Sequence, residues 1–557
     1  MQFRWNHTQG APDYDRETGF GFVTGAVYTA DAGLHIPETN SGFLPLWWYA
    51  GTPISDIRQS EYGLQATAAE ALRTEDAADR RLPVWLRIQV PGEGVYRAEI
   101  TVTGTDGGEV LVFTGRRRLA WRGVLPAGAQ QIVAAYCDVF PIVPRGQADA
   151  VASDAVNIAV VGGALSAVAL AEAPHTRRIW VCGDSTVTDQ TGELPYAPGT
   201  SYAGWGQMLP AYLPEVCITN HAHSGLTTES FLSEGHWAIV KPRLRAGDIC
   251  LFQFGHNDQK LAHLQARGGY TDRLRTYIKE TRTAGTVPVL ITPLARNSWR
   301  DPTHYNDFLA DFADAVLDLG EEEAVPVLDL HAYAMQLIRQ EGLETAKRWF
   351  YPGDYTHTND FGAYRMAGFV AGALGKAVGL PVADSPAWTP APPFAPLTPP
   401  KDCALPAPDT DPFADYDATR PQEVLTRAEA LELAIKALKF FPINVYNDLY
   451  ADIVGHETYA GTVQCAAQND LIPAAWIADG RLYPQRTVTA ADFLAVLMPG
   501  AAGRRPLAAP SPLPDSVPAY ARFAAGQAVA EQLISADSLN DPITRSDAAA
   551  LCRRLHI

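Results

Sequence analysis

The chain has 557 residues, 47% hydrophobic and 19% charged, and its 62 acidic against 44 basic side chains give a formal net charge of −18. That length exceeds one core and suggests about three or four domains. The acidity argues against a nucleic-acid partner, which would need a basic face, and without a run of about 18 apolar residues no membrane span is expected.

The N-terminus, Met1-Gln2-Phe3-Arg4-Trp5-Asn6-His7, lacks a basic stretch followed by an apolar one, so no signal peptide is expected in the sequence as given. The seven cysteines (137, 182, 217, 250, 403, 465, 552) are scattered and form no CxxC pair. They read as buried free thiols rather than zinc ligands or disulfides. A cytoplasmic location fits these features; an extracellular or cell-surface one fits if a signal peptide has been removed.

Residues 1–172 read as β-rich. Leu86 to Val90 alternates, turns at Pro91-Gly92-Glu93-Gly94, and alternates again from Tyr96 to Val102. Short runs follow at 109–113, 131–135, 156–161 and 164–170, a spacing that predicts a two-sheet sandwich. The pattern resembles galactose-binding-like sandwiches that precede some carbohydrate esterases. Trp47, Trp48 and Tyr49 could stack on sugar rings, or pack in the core or between domains.

Residues 175–380 alternate apolar strand-like runs with helical stretches. The runs are 179–181, 216–219, 249–254, 288–292 and 326–330; the helices are expected near 204–213, 227–240, 270–284, 303–319, 331–345 and 360–378. This alternation predicts an α/β domain with a parallel sheet covered on both faces. Residues 381–412 are proline-rich, either a semi-rigid linker or a strap across the preceding domain.

Residues 413–557 read as short helices. Thr426-Arg427-Ala428-Glu429 has the form of a capping box. Thr489-Ala490-Ala491-Asp492 and Thr544-Arg545-Ser546-Asp547 open similarly, which predicts a degenerate internal repeat. These helix starts, with the turns at Asn469–Pro473 and Asp479–Pro484, resemble worn S-layer homology repeats; a small helical packing domain is the plainer reading. Asp409, Asp411, Asp415 and Asp417 lack the glycine and closing glutamate of a calcium loop and read as a solvated acidic linker.

The chemistry gathers after the strand-like runs. Ile179-Trp180-Val181-Cys182 breaks at Gly183-Asp184-Ser185, and ligands of an open α/β sheet lie outside the carboxyl ends of its strands. Asn220-His221-Ala222-His223-Ser224-Gly225 follows the second run, Gly255-His256-Asn257-Asp258 the third, and Asp354-Tyr355-Thr356-His357 precedes the last helix. Together these hold the parts of an acyl-transfer site. Ser185 is the nucleophile, His357 the base and then the acid, and Asp354 the group that orients His357. The backbone N–H groups of Ser185 and Gly225 and the side chain of Asn257 are the candidate oxyanion donors. His221, His223 and His236 read as structural or surface residues; a metal site from His221, His223 and His256 is the weaker reading. Asp184 and Asp258 read as turn caps.

These four ordered blocks resemble those of the SGNH (GDSL-type) hydrolases over residues 175–380. Asp184-Ser185-Thr186, Thr292-Pro293-Leu294-Ala295-Arg296 and Asp354-Tyr355-Thr356-His357-Thr358 look most like rhamnogalacturonan acetylesterases. The glycine block departs from the family: Leu226 and Thr227 follow Gly225 where arginine and serine are more common, which bears on sugar contacts and not on the triad. The resemblance implies a carbohydrate O-deacetylase acting on acetylated pectic oligosaccharides, without metal or organic cofactor. Arg296 and Arg300 are then placed to meet a uronate carboxylate. A lipid or acyl-thioester hydrolase keeps the same chemistry, although no long apolar lid segment is seen. A cell-surface carbohydrate-binding or anchoring protein is the alternative of a different class, with cell-wall polymer binding or self-association through 413–557.

Overall fold

The computed structural model describes residues 1–23, 27–29, 33–35, 55–68, 82–143, 149–190, 192, 196, 198–261, 263–301, 304–307, 309–390, 411, 413–438, 450–453, 457–469 and 471–555. Trp47, Trp48, Tyr49 and Cys403 lie outside them, as does the stretch 391–410. The chain forms two compact units. One takes Met1–Phe254, Leu274–Ser298 and Val316–Cys403; the other takes Gly255–Arg273, Trp299–Ala315 and Ala404–Ile557. The expected boundaries at 1–172 and 175–380 therefore fall largely within the first unit.

The first unit opens with two antiparallel sheets. In one, Gly94–Thr103 pairs with Gln130–Val139 and with Ala164–Glu172. The other contains Glu109–Thr114, Arg118–Val124, Ala155–Val161, Val84–Gln89 and Phe20–Phe22. Gly94–Thr103 shows mixed burial along its length, whereas Ala155–Val161 is buried at every position. A strand buried on both sides has a layer over each face. Here the part of the unit that follows the sandwich packs on the second sheet, with Phe113 edge-on to Tyr196 at 5.7 Å.

Five parallel strands follow, in the spatial order Cys217–Asn220, Arg178–Gly183, Ile249–Gln253, Val287–Ile291, Val327–Leu328. The first three of these are buried at every residue, the continuous apolar signature of a doubly covered sheet. The first strand in sequence lies between the second and the third. The connection from this strand to Cys217–Asn220 and the one from its neighbour Ile249–Gln253 to Val287–Ile291 therefore run to opposite sides and open a crevice at the carboxyl ends of the two strands. Ser185 stands two residues beyond that end.

The expected helices form at Thr271–Thr283, Leu330–Ala346 and Asp360–Val378. The one expected at 303–319 starts later, at Ala310, because Trp299–Asp301 and His304–Tyr305 pair first as strands. The Asp307 carboxylate accepts the Leu309 N–H just ahead of that helix.

Of the two readings of the proline-rich stretch, residues 381–390 form a strap on the first unit. Ala383 N–H donates to Tyr212 O (2.8 Å), and Arg122 Nη1 donates to Pro386 O (2.7 Å). Trp388 packs edge-on to Phe361 at 5.2 Å, with the Arg122 guanidinium over its ring.

In the second unit, the three similar helix starts meet around a ring. Leu425 N–H donates to Ile543 O, Ile543 N–H to Val488 O, and Val488 N–H to Leu425 O, at 2.9, 3.3 and 3.0 Å. Each link joins the residue before one capping threonine to its counterpart before another, so the sequence repeat is also a spatial one. Thr426 with Glu429 and Thr489 with Asp492 form reciprocal capping boxes. Replacing Thr426 with alanine leaves the Glu429 N–H without its cap and should lower stability by about 1 kcal/mol, read as a reduced urea midpoint of the full chain; an unchanged midpoint would show the cap to be dispensable. The described part of the acidic stretch is solvated: Asp411, Asp415 and Asp417 are exposed, and Asp411 and Asp417 pair with Arg553 at the surface.

Six cysteines, at 137, 182, 217, 250, 465 and 552, are buried free thiols. No helix among the described residues is long and apolar enough to cross a membrane.

Candidate active site

Ser185 occupies a tight turn that its neighbours enforce. A Cβ on Gly183 would meet Gln253 O at 2.6 Å and Val187 Cγ2 at 2.8 Å, so only glycine lets the chain leave the sheet here. Asp184 is fully buried, and its Oδ1 accepts from the Thr186 N–H (2.9 Å) and hydroxyl (2.8 Å). Gln253 Nε2 donates to Thr186 Oγ1 (2.7 Å) and Gln190 Nε2 to Ser185 O (2.8 Å), which holds the turn from both sides. Ser185 itself is half-buried and open to a ligand.

The strands bring His357 to Ser185 from 172 residues further along the chain, with Ser185 Oγ 2.7 Å from His357 Nε2. His357 Nδ1 lies 2.8 Å from Asp354 Oδ2. The other carboxylate oxygen accepts the N–H groups of Thr356 (2.7 Å) and His357 (3.0 Å). Burial alone would push the Asp354 carboxyl up. The hydrogen bond and charge of His357, with those two backbone N–H groups, outweigh burial and hold it below the usual carboxylate range. An ionised carboxylate only accepts hydrogen bonds, so Nδ1 carries the proton and the Nε2 lone pair faces the Ser185 hydroxyl. The three residues named from sequence thus form one hydrogen-bonded chain poised for nucleophilic attack.

Gly225 is exposed on the loop after Cys217–Asn220, with φ of 87°. His223 N–H, two residues earlier, donates to Gly183 O (3.1 Å), which ties that loop to the Ser185 turn. Asn257 belongs to the second unit, where its Oδ1 accepts from Lys260 Nζ at 2.9 Å. Asp258 Oδ2 in the same loop accepts the Gly255 N–H at 3.1 Å.

Arg296 is 4% exposed. Its charge lies close enough to Tyr355 to oppose the effect of burial on that phenol, and the neighbouring Asn297 N–H donates to Tyr355 O (2.8 Å). Arg300 lies in the strand Trp299–Asp301, and its side chain is outside those described.

His221 is buried against Trp180, and burial first, then the charges of Arg116 and Arg118, hold it well below the usual histidine range. His236 is shifted down to about 4, by burial and then by His223 and Arg116. Among the described residues no group of three or more His, Cys, Asp or Glu side chains converges as metal ligands would.

Two features escaped sequence reasoning. Tyr202 stands edge-on to the His357 ring at 5.7 Å and stacks on Tyr351 at 3.6 Å, in a loop with no motif of its own. A cavity of about 1020 Å³ borders the site on the Asp354 side, walled in part by Tyr351, Tyr355, Phe361 and Trp388, with Lys347 and Arg122. The aromatic residues near 351–361 are its one sequence signal.

Residues 181–365 match the model of the GDSL-like Lipase/Acylhydrolase family. The chain is 32% identical over 222 residues to rhamnogalacturonan acetylesterase RhgT of Bacillus subtilis (strain 168), covering 37% of this chain and 93% of that protein. It is 33% identical over 216 residues to the probable rhamnogalacturonan acetylesterase YesY of the same organism, covering 37% and 96%. A longer match, 25% identical over 368 residues and covering 64% and 82%, is to the uncharacterized esterase YxiM, also of Bacillus subtilis (strain 168).

Proposed function

Because this chain belongs to the GDSL-like lipase/acylhydrolase family, we propose that it is a serine esterase that removes O-acetyl groups from carbohydrate, with pectic rhamnogalacturonan oligosaccharides as the substrate class. The observation that carries the reading is the continuous Ser185–His357–Asp354 hydrogen-bonded chain. Ser185 Oγ attacks the acetyl carbonyl carbon while His357 Nε2 takes its proton. The tetrahedral intermediate collapses as His357 protonates the departing sugar hydroxyl, leaving acetyl-Ser185. Water, deprotonated by the same nitrogen, then adds to the acetyl carbon, and as the bond to Ser185 Oγ breaks His357 returns the proton to that oxygen and acetate leaves. The Ser185 and Gly225 N–H groups are the proposed oxyanion donors on the first unit, each able to contribute about 3 kcal/mol to the transition state.

The carbohydrate assignment draws support from the two relatives of about one-third identity that are named for rhamnogalacturonan acetyl esters. The aromatic-walled cavity beside Asp354 supports it too, since sugar rings pack on such faces.

Acetate release from acetylated rhamnogalacturonan, acetylated xylan and p-nitrophenyl acetate, beside hydrolysis of a long-chain p-nitrophenyl ester, tests the reading. Preference for the pectic substrate is expected. Preference for the long-chain ester would move the assignment to a lipid hydrolase. For residues 413–557, whose helix starts resemble worn S-layer homology repeats, we propose a second role, retention on a cell-wall polymer. Co-sedimentation of the full chain with purified wall polymer tests it, and a chain that stays in the supernatant refutes it.

A further inference from the structure

We infer that Arg117, supplied by the N-terminal sheets, is a positioning residue for His357, which makes the sandwich a working part of the catalytic site; the inference rests on the esterase reading above. Arg117 lies in the turn between the strands Glu109–Thr114 and Arg118–Val124. Its backbone is left-handed, at φ of 57°, and its side chain is fully buried. A residue other than glycine persists in that conformation where its surroundings over-determine it.

The guanidinium reaches both backbone segments that flank His357. Nη1 donates to Asp360 Oδ1 at 2.6 Å, and Nη2 donates to Tyr202 O. Asp360 begins the helix Asp360–Val378, three residues after His357, and also accepts from the Tyr196 hydroxyl (2.6 Å) and Gly199 N–H (3.0 Å). Tyr202 bridges to Asn359, and the next residue, Ala203, exchanges hydrogen bonds with Thr358 at 3.0 and 2.7 Å. The Tyr202 ring is the one edge-on to His357. One planar group therefore fixes the segment carrying the imidazole and the segment packed against it. Lysine, a single point of charge on a flexible stem, cannot span both acceptors in the same geometry.

The same turn grips the nucleophile side. Arg118 Nε donates to Asp189 Oδ2 at 2.9 Å, and Arg116 pairs with that carboxylate at 3.3 Å, four residues beyond Ser185. Arg87 gives the contrast. It is equally buried in the same sandwich and paired with Asp154 at 2.7 Å, and both belong to the sandwich rather than to the His357 segments.

The test compares full-length Arg117→Lys, Arg117→Ala and Arg87→Lys with the parent and Ser185→Ala on p-nitrophenyl acetate, with kcat normalised to folded enzyme. For Arg117→Lys, kcat is expected to fall by about 10²-fold while KM stays within about threefold, because a small displacement of the imidazole costs rate and not binding. Added guanidinium chloride should raise the kcat of Arg117→Ala, and methylammonium chloride should not. Arg87→Lys should lower Tm and keep its kcat. Parent-like kcat in Arg117→Lys, or an equal loss in Arg87→Lys, would overturn the positioning role. If Arg117→Ala does not fold, the lysine pair decides. A parent no faster than Ser185→Ala would overturn the esterase reading, and this inference with it.

Discussion

Ser185→Ala is expected to lower kcat for acetyl-ester hydrolysis by a factor on the order of 10⁶, because no other group then carries the acyl intermediate. The fold should be untouched. The change removes one hydroxyl from a half-buried turn whose other hydrogen bonds come from Asp184, Thr186, Gln190 and Gln253. Loss of its hydrogen bond to His357 should cost about 1 kcal/mol or less. A residual rate above water is expected from the remaining oxyanion donors. Steady-state acetate release, with circular dichroism and Tm of the same preparation, checks both halves. A variant within tenfold of the parent would remove Ser185 from the mechanism.

The second large effect is expected for Asp354→Asn, a loss of about 10⁴ in kcat with little change in structure. The amide can donate to Nδ1 where the carboxylate only accepted. That turns the imidazole to the tautomer whose Nε2 bears a proton and cannot take one from Ser185. The pH behaviour follows from the sign of the shift. The folded Asp354 carboxyl lies below its usual value, so the parent binds fewer protons there than the unfolded chain does. The stability this contributes is complete above the unfolded carboxylate value of about 4, and is lost as pH falls through the lower folded value. Urea midpoints measured from pH 6 downward should therefore show a smaller acid loss in Asp354→Asn than in the parent. An equal acid slope in both would contradict the depressed carboxyl.

Much of the site was legible because its signals are local. Gly183-Asp184-Ser185 follows an apolar run, and a strand-to-loop exit of that kind announces itself within a few residues. Asp354 and His357 are three apart, so one turn of backbone suffices to join them. Capping boxes are read in the same way, from a threonine and an acid three residues on. The late start of the helix at Ala310 went unread because the pairing of Trp299–Asp301 with His304–Tyr305 competes for the same stretch. The run Arg116-Arg117-Arg118 carries no signal of its role in the sequence: adjacent charges in a hairpin turn usually face water, and only burial distinguishes a clamp from a solvated tip.

By itself, then, the sequence determined the parallel sheet with its covered faces, the serine at the strand exit, and the carboxylate–imidazole pair, because periodicity and short spacing are set by the backbone's own geometry. Only the tertiary structure decided that Ser185 and His357 meet, since strand order and not sequence distance brings residues 172 apart to 2.7 Å. It likewise decided that residues 381–390 are a strap, that three helix starts close a ring, and that an arginine of the N-terminal sheets reaches the segments around His357. Those contacts depend on which faces are buried against each other, and burial is a property of the assembled chain.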